Sequence, residues 1–195
     1  MHKTKSDIQE LTELAQEVLK DTQIIQQIDK TSDIIIQAYL KGKKAIFCGN
    51  GGSSAEAQHF AAELSGKFKL DRKPIPAEAC HVNSSFVTAV SNDYDFTKVY
   101  ARYIEAFGNK GDVLVGLSTS GNSPNMIEAF KMAKQKGLTT IALTGQTGGE
   151  LPALSDFIIK VPSLNVPRIQ EIHLLIGHII CENVERKLFD NETSM

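Results

Sequence analysis

Two serine-rich glycine segments carry the side chains best placed to do chemistry. The first reads Cys48-Gly49-Asn50-Gly51-Gly52-Ser53-Ser54 and follows an apolar run over 45–48. The second reads Ser118-Thr119-Ser120-Gly121-Asn122-Ser123-Pro124 and follows an apolar run over 113–117. Each leads into a helical pattern, so backbone N–H groups and hydroxyls gather at the positive end of a helix, a common phosphate site. Ser123-Pro124 reads as an N-cap followed by proline at the first helical position. Ser118, Thr119, Ser120 and Ser123 exceed what capping needs, so a phosphorylated small molecule is the expected ligand. The first segment departs from the dinucleotide fingerprint: the glycine spacing is wrong and no acidic residue ends a second strand about 20 residues on. A Walker lysine is also absent.

Acid–base and metal candidates lie in the helical stretches. His59 and Glu63 are four apart, on one face. That spacing fits a metal chelate, a base with its orienter, or an ordinary exposed contact. In the apolar stretch 168–180, Gln170, His173 and His178 intrude among Ile and Leu. Gln170 and His178 are eight apart, about two turns, and project to roughly one side. A lone histidine in such a run is usually a core residue, but several buried polar groups together suggest a site. His59, Glu63, Gln170 and His178 form a divalent-metal candidate set, and zinc suits the imidazoles. Asn92-Asp93 reads equally as a helix-capping loop or a substrate contact.

These residues must be positioned by alternating elements. Strands are expected at 45–48, 78–82, 113–117, 140–144 and 157–161. Helices are expected at 55–65, 84–91, 96–107, 124–136, 149–154 and 168–189. Short apolar strands alternating with helices predict an α/β three-layer sandwich around a parallel five-stranded sheet, with ligands beyond the strands' carboxyl ends. Gly108 and Gly137 read as C′ residues. Residues 1–41 carry two helical stripes, with Ser6 as N-cap and Gln9 completing a capping box. They are expected to form an oligomerising helical arm on a single 1–195 domain whose core spans 42–195.

Composition removes other classes. The 195 residues are 42% hydrophobic with a net charge of −2, and no basic block marks a nucleic-acid binder. Neither a signal-peptide pattern nor an apolar run of the roughly 20 residues that span a bilayer is present, so a cytoplasmic protein without membrane partners is expected. Cys48, Cys80 and Cys181 lie in apolar surroundings and read as reduced thiols.

Taken in order, Cys48–Ser53, His59-Phe60-Ala61-Ala62-Glu63-Leu64, Asn92-Asp93, Ser118–Ser123 and Arg168-Ile169-Gln170-Glu171-Ile172-His173 resemble the phosphoheptose isomerase family of the sugar isomerase (SIS) domain class, across essentially the whole chain. The resemblance implies a flavodoxin-like sandwich, a homotetramer with active sites at subunit interfaces, and one zinc per subunit. It implies conversion of sedoheptulose 7-phosphate to D-glycero-D-manno-heptose 7-phosphate, the first step of bacterial nucleotide-activated heptose synthesis for lipopolysaccharide. It assigns Ser118, Thr119, Ser120 and Ser123 to the phosphate. Asn50, Gly51, Gly52, Asn92 and Asp93 go to the sugar, with Ser53, Glu63 and Gln170 grouped among the substrate contacts. His59, Glu63, Gln170 and His178 become zinc ligands, with Glu63 and His178 as the acid–base pair. Pro167 stands where some members carry an aspartate, which puts any orienting role of that carboxylate in doubt. Moving a carbonyl from C2 to C1 needs a base at C1, an acid at O2 and an electrophile for the enediolate, and this residue set can supply them. Two alternatives stay open: a non-catalytic SIS-domain binding protein of the replication-initiator-associating type, and an isomerase of another sugar phosphate.

Overall fold

Short strands that are apolar at successive positions put apolar side chains on both faces and so require a sheet covered on both sides. The structure, a computed structural model, describes residues 2–190. It contains β1 (Ala45–Gly49), β2 (Ala77–Ala79), β3 (Val113–Ser118), β4 (Thr139–Thr144) and β5 (Phe157–Lys160). All pair in parallel, in the order β2-β1-β3-β4-β5. Phe47, Val115, Leu117, Ile141 and Leu143 face one helical layer: α1 (Lys3–Lys20), α2 (Thr22–Leu40), α3 (Gly52–Ser65) and α7 (Val166–Phe189). Ile46, Cys48, Leu114 and Ala142 face the other: α4 (Ser84–Asp93), α5 (Val99–Phe107) and α6 (Pro124–Lys136). This is the three-layer parallel sandwich expected. Chain order reverses between β1 and β3, so a ligand crevice opens beyond their carboxyl ends, where both serine-glycine segments emerge.

Several boundaries differ from the sequence reading for local reasons. The α1 helix starts at Lys3, and the His2 carbonyl accepts from the Lys5 and Ser6 N–H groups. Ser6 therefore lies inside the helix. No capping box forms, and the Gln9 amide donates to Glu13 at 2.9 Å instead. Asp21, missed in the sequence, caps α2 by accepting from the N–H groups of Gln23 and Ile24. Gly137 ends α6 in the left-handed region, φ +75°, as a C′ residue should. Gly108 ends α5 extended, with φ −77° and ψ 139°, so it is not a left-handed cap. The β2 strand is shorter than 78–82, although the Cys80 N–H still donates to the Phe47 carbonyl. The 149–154 stretch, interrupted by Pro152, makes only a 3₁₀ turn over Leu151–Ala153. The 96–107 pattern splits into a 3₁₀ turn, Phe96–Lys98, and α5.

Two further shifts matter for the site. The α3 helix begins at Gly52, inside the glycine segment, and α4 runs through Asp93. The N-terminal region is not uniformly peripheral: α2 packs on α7 and β5 and buries Ile24, Ile28, Ile35 and Ile36, while α1 buries Leu14 and Val18 and leaves Ile8 and Leu19 exposed. The three cysteines are buried and free. Among the described residues no helix is long and apolar enough to cross a membrane.

Candidate active site

The two loops meet in a small cavity of about 190 Å³, lined by Asn50, Ser53, Ser118, Thr119, Ser120, Ser123 and Gln170, with Leu117 and Val166. A larger cavity of about 570 Å³ lies at the opposite end of the strands, beside Val113, Thr139 and Phe157. Size does not identify the site here, because only the smaller cavity joins hydroxyls to the ends of β1 and β3. The hydroxyls retain their donors. Ser118 Oγ accepts from the Gly121 N–H at 3.1 Å, and Ser120 Oγ accepts from the Asn122 N–H at 3.2 Å. Each oxygen is used as an acceptor by the turn and still has an O–H to donate to an anion. Ser123 occupies the N-cap of α6 without a side-chain capping bond. Gly121, at φ +68°, approaches the Gly148 carbonyl so closely that an added Cβ would lie 1.8 Å from its oxygen.

A polar cross-link fixes the two loops to each other. The Asn50 and Asn125 carboxamides exchange two hydrogen bonds of 2.8 Å. Tyr100, from α5, donates to the Gly49 carbonyl and lies 3.2 Å from Asn50 Oδ1. Asn125 and Tyr100 were missed in the sequence. Asn125 follows the recognised Ser123-Pro124 cap and could have been found there, whereas Tyr100 reaches the site only through tertiary packing.

The acid–base candidates gather between α3 and α7. His59 Nε2 lies 2.8 Å from His178 Nε2 and 3.3 Å from Glu63 Oε1. One donor atom from each of the three residues falls within 4.8 Å of the others. Two facing imidazole nitrogens and a carboxylate oxygen match the donor set of a zinc site. Gln170 stands two turns before His178. Its amide nitrogen lies 3.4 Å from Ser53 Oγ, and a Cβ on Gly52 would come within 2.6 Å of that nitrogen. Gly52 thus makes room for Gln170, which lines the hydroxyl cavity and stands on the helix that carries His178.

The remaining polar residues are distributed unequally. His173 is fully buried, and its Nε2 lies 3.3 Å from the Thr144 carbonyl. Burial holds the imidazole down to about 4, so it is a neutral core histidine. Asn92 and Asp93 are exposed in the last turn of α4, hydrogen-bonded to each other at 2.9 Å, and do not line the cavity. Gly51 takes φ +54° before α3 and is exposed. Glu56, one turn beyond Gly52 and unremarked in the sequence, is buried. Burial pushes its carboxyl up to about 7, and the Ser53 hydroxyl partly offsets this.

Comparison with known proteins shows the family to which the chain belongs. The SIS domain family matches residues 8–145. A phosphoheptose isomerase of Clostridium acetobutylicum is 51% identical over 185 residues, covering 95% of this chain and 94% of the relative. The phosphoheptose isomerase of Sulfurimonas denitrificans is 45% identical, with 95% of each chain covered. The solved structure of phosphoheptose isomerase GmhA from Neisseria gonorrhoeae superposes with a TM-score of 0.88 at 38% identity, covering 93% of this chain and 96% of that one. The chain belongs to the SIS-domain family and, within it, to the phosphoheptose isomerases.

Proposed function

We propose that the chain is an aldose–ketose isomerase that converts sedoheptulose 7-phosphate to D-glycero-D-manno-heptose 7-phosphate through an enediol. The observation that carries this reading is the convergence of His59, Glu63 and His178, with donor atoms within 4.8 Å, on α3 and α7, the two helices that also bring Ser53 and Gln170 to the hydroxyl cavity. The distal phosphate accepts from Ser118, Thr119, Ser120 and Ser123 near the start of α6. Anchoring that end fixes C1 and C2 beside the acid–base pair, so phosphate binding contributes at a distance. Glu63 Oε1 faces His59, which leaves Oε2 to remove the C1 proton and return it at C2. His178 delivers a proton to O2 and takes up the O1 proton as the aldehyde forms, which restores its starting state.

The cofactor is zinc, held by His59, Glu63, His178 and the carboxamide oxygen of Gln170. When bound it supplies a Lewis acid for the carbonyl and the enediolate charge. The subunits associate as a homotetramer in the cytoplasm. In support, Leu174, Leu175 and Ile179 stand 36–43% exposed on α7, the helix that carries Gln170 and His178. A subunit contact there closes the site from outside. The test is a panel of five-, six- and seven-carbon ketose phosphates followed by NMR. The seven-carbon substrate should give the highest kcat/KM, and a preference for a pentose or hexose phosphate would overturn the substrate assignment.

A further inference from the structure

The 66–73 segment, between α3 and β2, supplies none of the groups discussed so far, yet a buried ion pair ties it down. Arg72 Nε donates to Glu185 Oε1 at 2.9 Å, with both side chains 2% exposed. The second Glu185 oxygen accepts from the backbone N–H groups of Lys69 and Leu70 at 2.9 and 3.0 Å. Arg72 Nη1 reaches the carbonyls of Leu64, Gly66 and Lys73, and Nη2 donates to the carbonyl of Glu63 at 2.8 Å. The pair therefore satisfies the last carbonyls of α3 and joins that helix end to α7. Buried ion pairs give little net stability over apolar replacements, so stability alone explains this one poorly.

What the pair positions is Phe68. Its ring lies 5.8 Å from the His178 ring at an interplanar angle of 10°, a parallel stack. His59 and Phe60 meet the same imidazole edge-on, at 5.0 and 6.3 Å. The terminal torsion of a histidine is broad, and the stack narrows it. Rotation about that torsion would carry His178 Nε2 away from His59 and Glu63.

We propose that Phe68 is a positioning residue that sets the plane of the His178 imidazole, and that the Arg72–Glu185 pair holds Phe68 in place while fixing the backbone of Glu63. The inference rests on the isomerase reading, in which His178 and Glu63 act together and bind a divalent ion.

Phe68→Leu keeps bulk and removes the stack. Its kcat for sedoheptulose 7-phosphate should fall by roughly 10- to 100-fold, with KM changed by less than about twofold, because the phosphate loops stand on other elements. In substrate-free protein, Co2+ affinity measured by visible absorption should weaken by about tenfold or more. Phe68→Tyr should restore both. The unfolding midpoint of Phe68→Leu should stay close to wild type. Arg72→Met paired with Glu185→Met should reproduce the kcat and Co2+ losses; if that double variant does not fold, Phe68→Leu alone decides. Unchanged kcat and Co2+ affinity in Phe68→Leu, or a loss confined to KM, would overturn the proposal. Wild-type protein that neither binds Co2+ nor isomerises the substrate would overturn the reading beneath it as well.

Discussion

His173 and His178 occupy the same helix five residues apart and do different work because their surroundings differ. His173 Nε2 faces a carbonyl oxygen and must carry the proton, which leaves Nδ1 buried without a partner. A second proton has no place in the fold. Its folded-state value, about 4, lies below the ordinary 6.5. The stabilising preference is therefore fully present above pH 6.5 and is lost as pH falls from 6.5 towards 4. The whole effect is about 3 kcal/mol. Glu56 has the opposite sign: raised from 4.5 to about 7, it favours the fold below pH 4.5 and loses that contribution as pH rises through 7. Urea midpoints across pH 4–8 should show a flatter acid limb for His173→Gln and a gain at pH 8 for Glu56→Gln; parallel curves for wild type and both variants would refute these assignments. Glu63→Gln removes the proposed base but keeps the size and shape of the side chain. Its kcat should drop by about 10²–10⁴ with circular dichroism unchanged, and near-wild-type turnover would rule out the acid–base role. At this scale the sequence was partly legible. His59, Glu63, His178 and the serines were marked by type and spacing. Phe68, Arg72, Tyr100 and Glu185 carry no such mark, because their roles arise from contacts across 51 to 113 residues of chain.

At the level of elements, site geometry depends on how closely α3 and α7 approach. Gly177 sets that distance, since a Cβ there would lie 1.9 Å from the Phe60 ring. Phe60 is itself fully buried beneath the site, so neither partner can yield cheaply. Gly177→Ala should destabilise the protein by roughly 1–3 kcal/mol. It should also lower kcat more than KM, by separating His178 from His59 and Glu63. Thermal unfolding with steady-state kinetics checks both, and a variant normal in both would show that the interface has slack. Element order and the two-sided sheet were readable because 45–49, 113–118 and 139–144 are short, nearly continuous apolar runs separated by helical patterns. Boundaries were less so. The start of α3 at Gly52 defied helix propensity, because tertiary packing against β1 and Gln170 outweighs the cost of two glycines at the helix start. The glycine segment thereby becomes the first turn of a helix.

Over the whole molecule, the proposed tetramer would link assembly to catalysis, because α7 carries both the exposed apolar residues Leu174, Leu175 and Ile179 and the candidate site residues Gln170 and His178. Leu175→Lys with Ile179→Lys leaves the monomer core untouched. It should reduce the mass seen by light scattering and reduce turnover together. Full activity in a smaller species would separate the two. Residues 1–41 are more than the oligomerising arm expected from the sequence, because α2 is part of the main core and its removal would strip one cover from the sheet.

In the proposed enzyme, a phosphate cradle, an acid–base pair and a metal act together at the carboxyl edge of the sheet. The most direct measurement is turnover of sedoheptulose 7-phosphate by purified protein as isolated, after chelation, and after zinc is restored. Turnover should be present, fall on chelation and return with zinc. No turnover in the zinc-restored protein would contradict the isomerase, and turnover indifferent to chelation would contradict the role given to the metal.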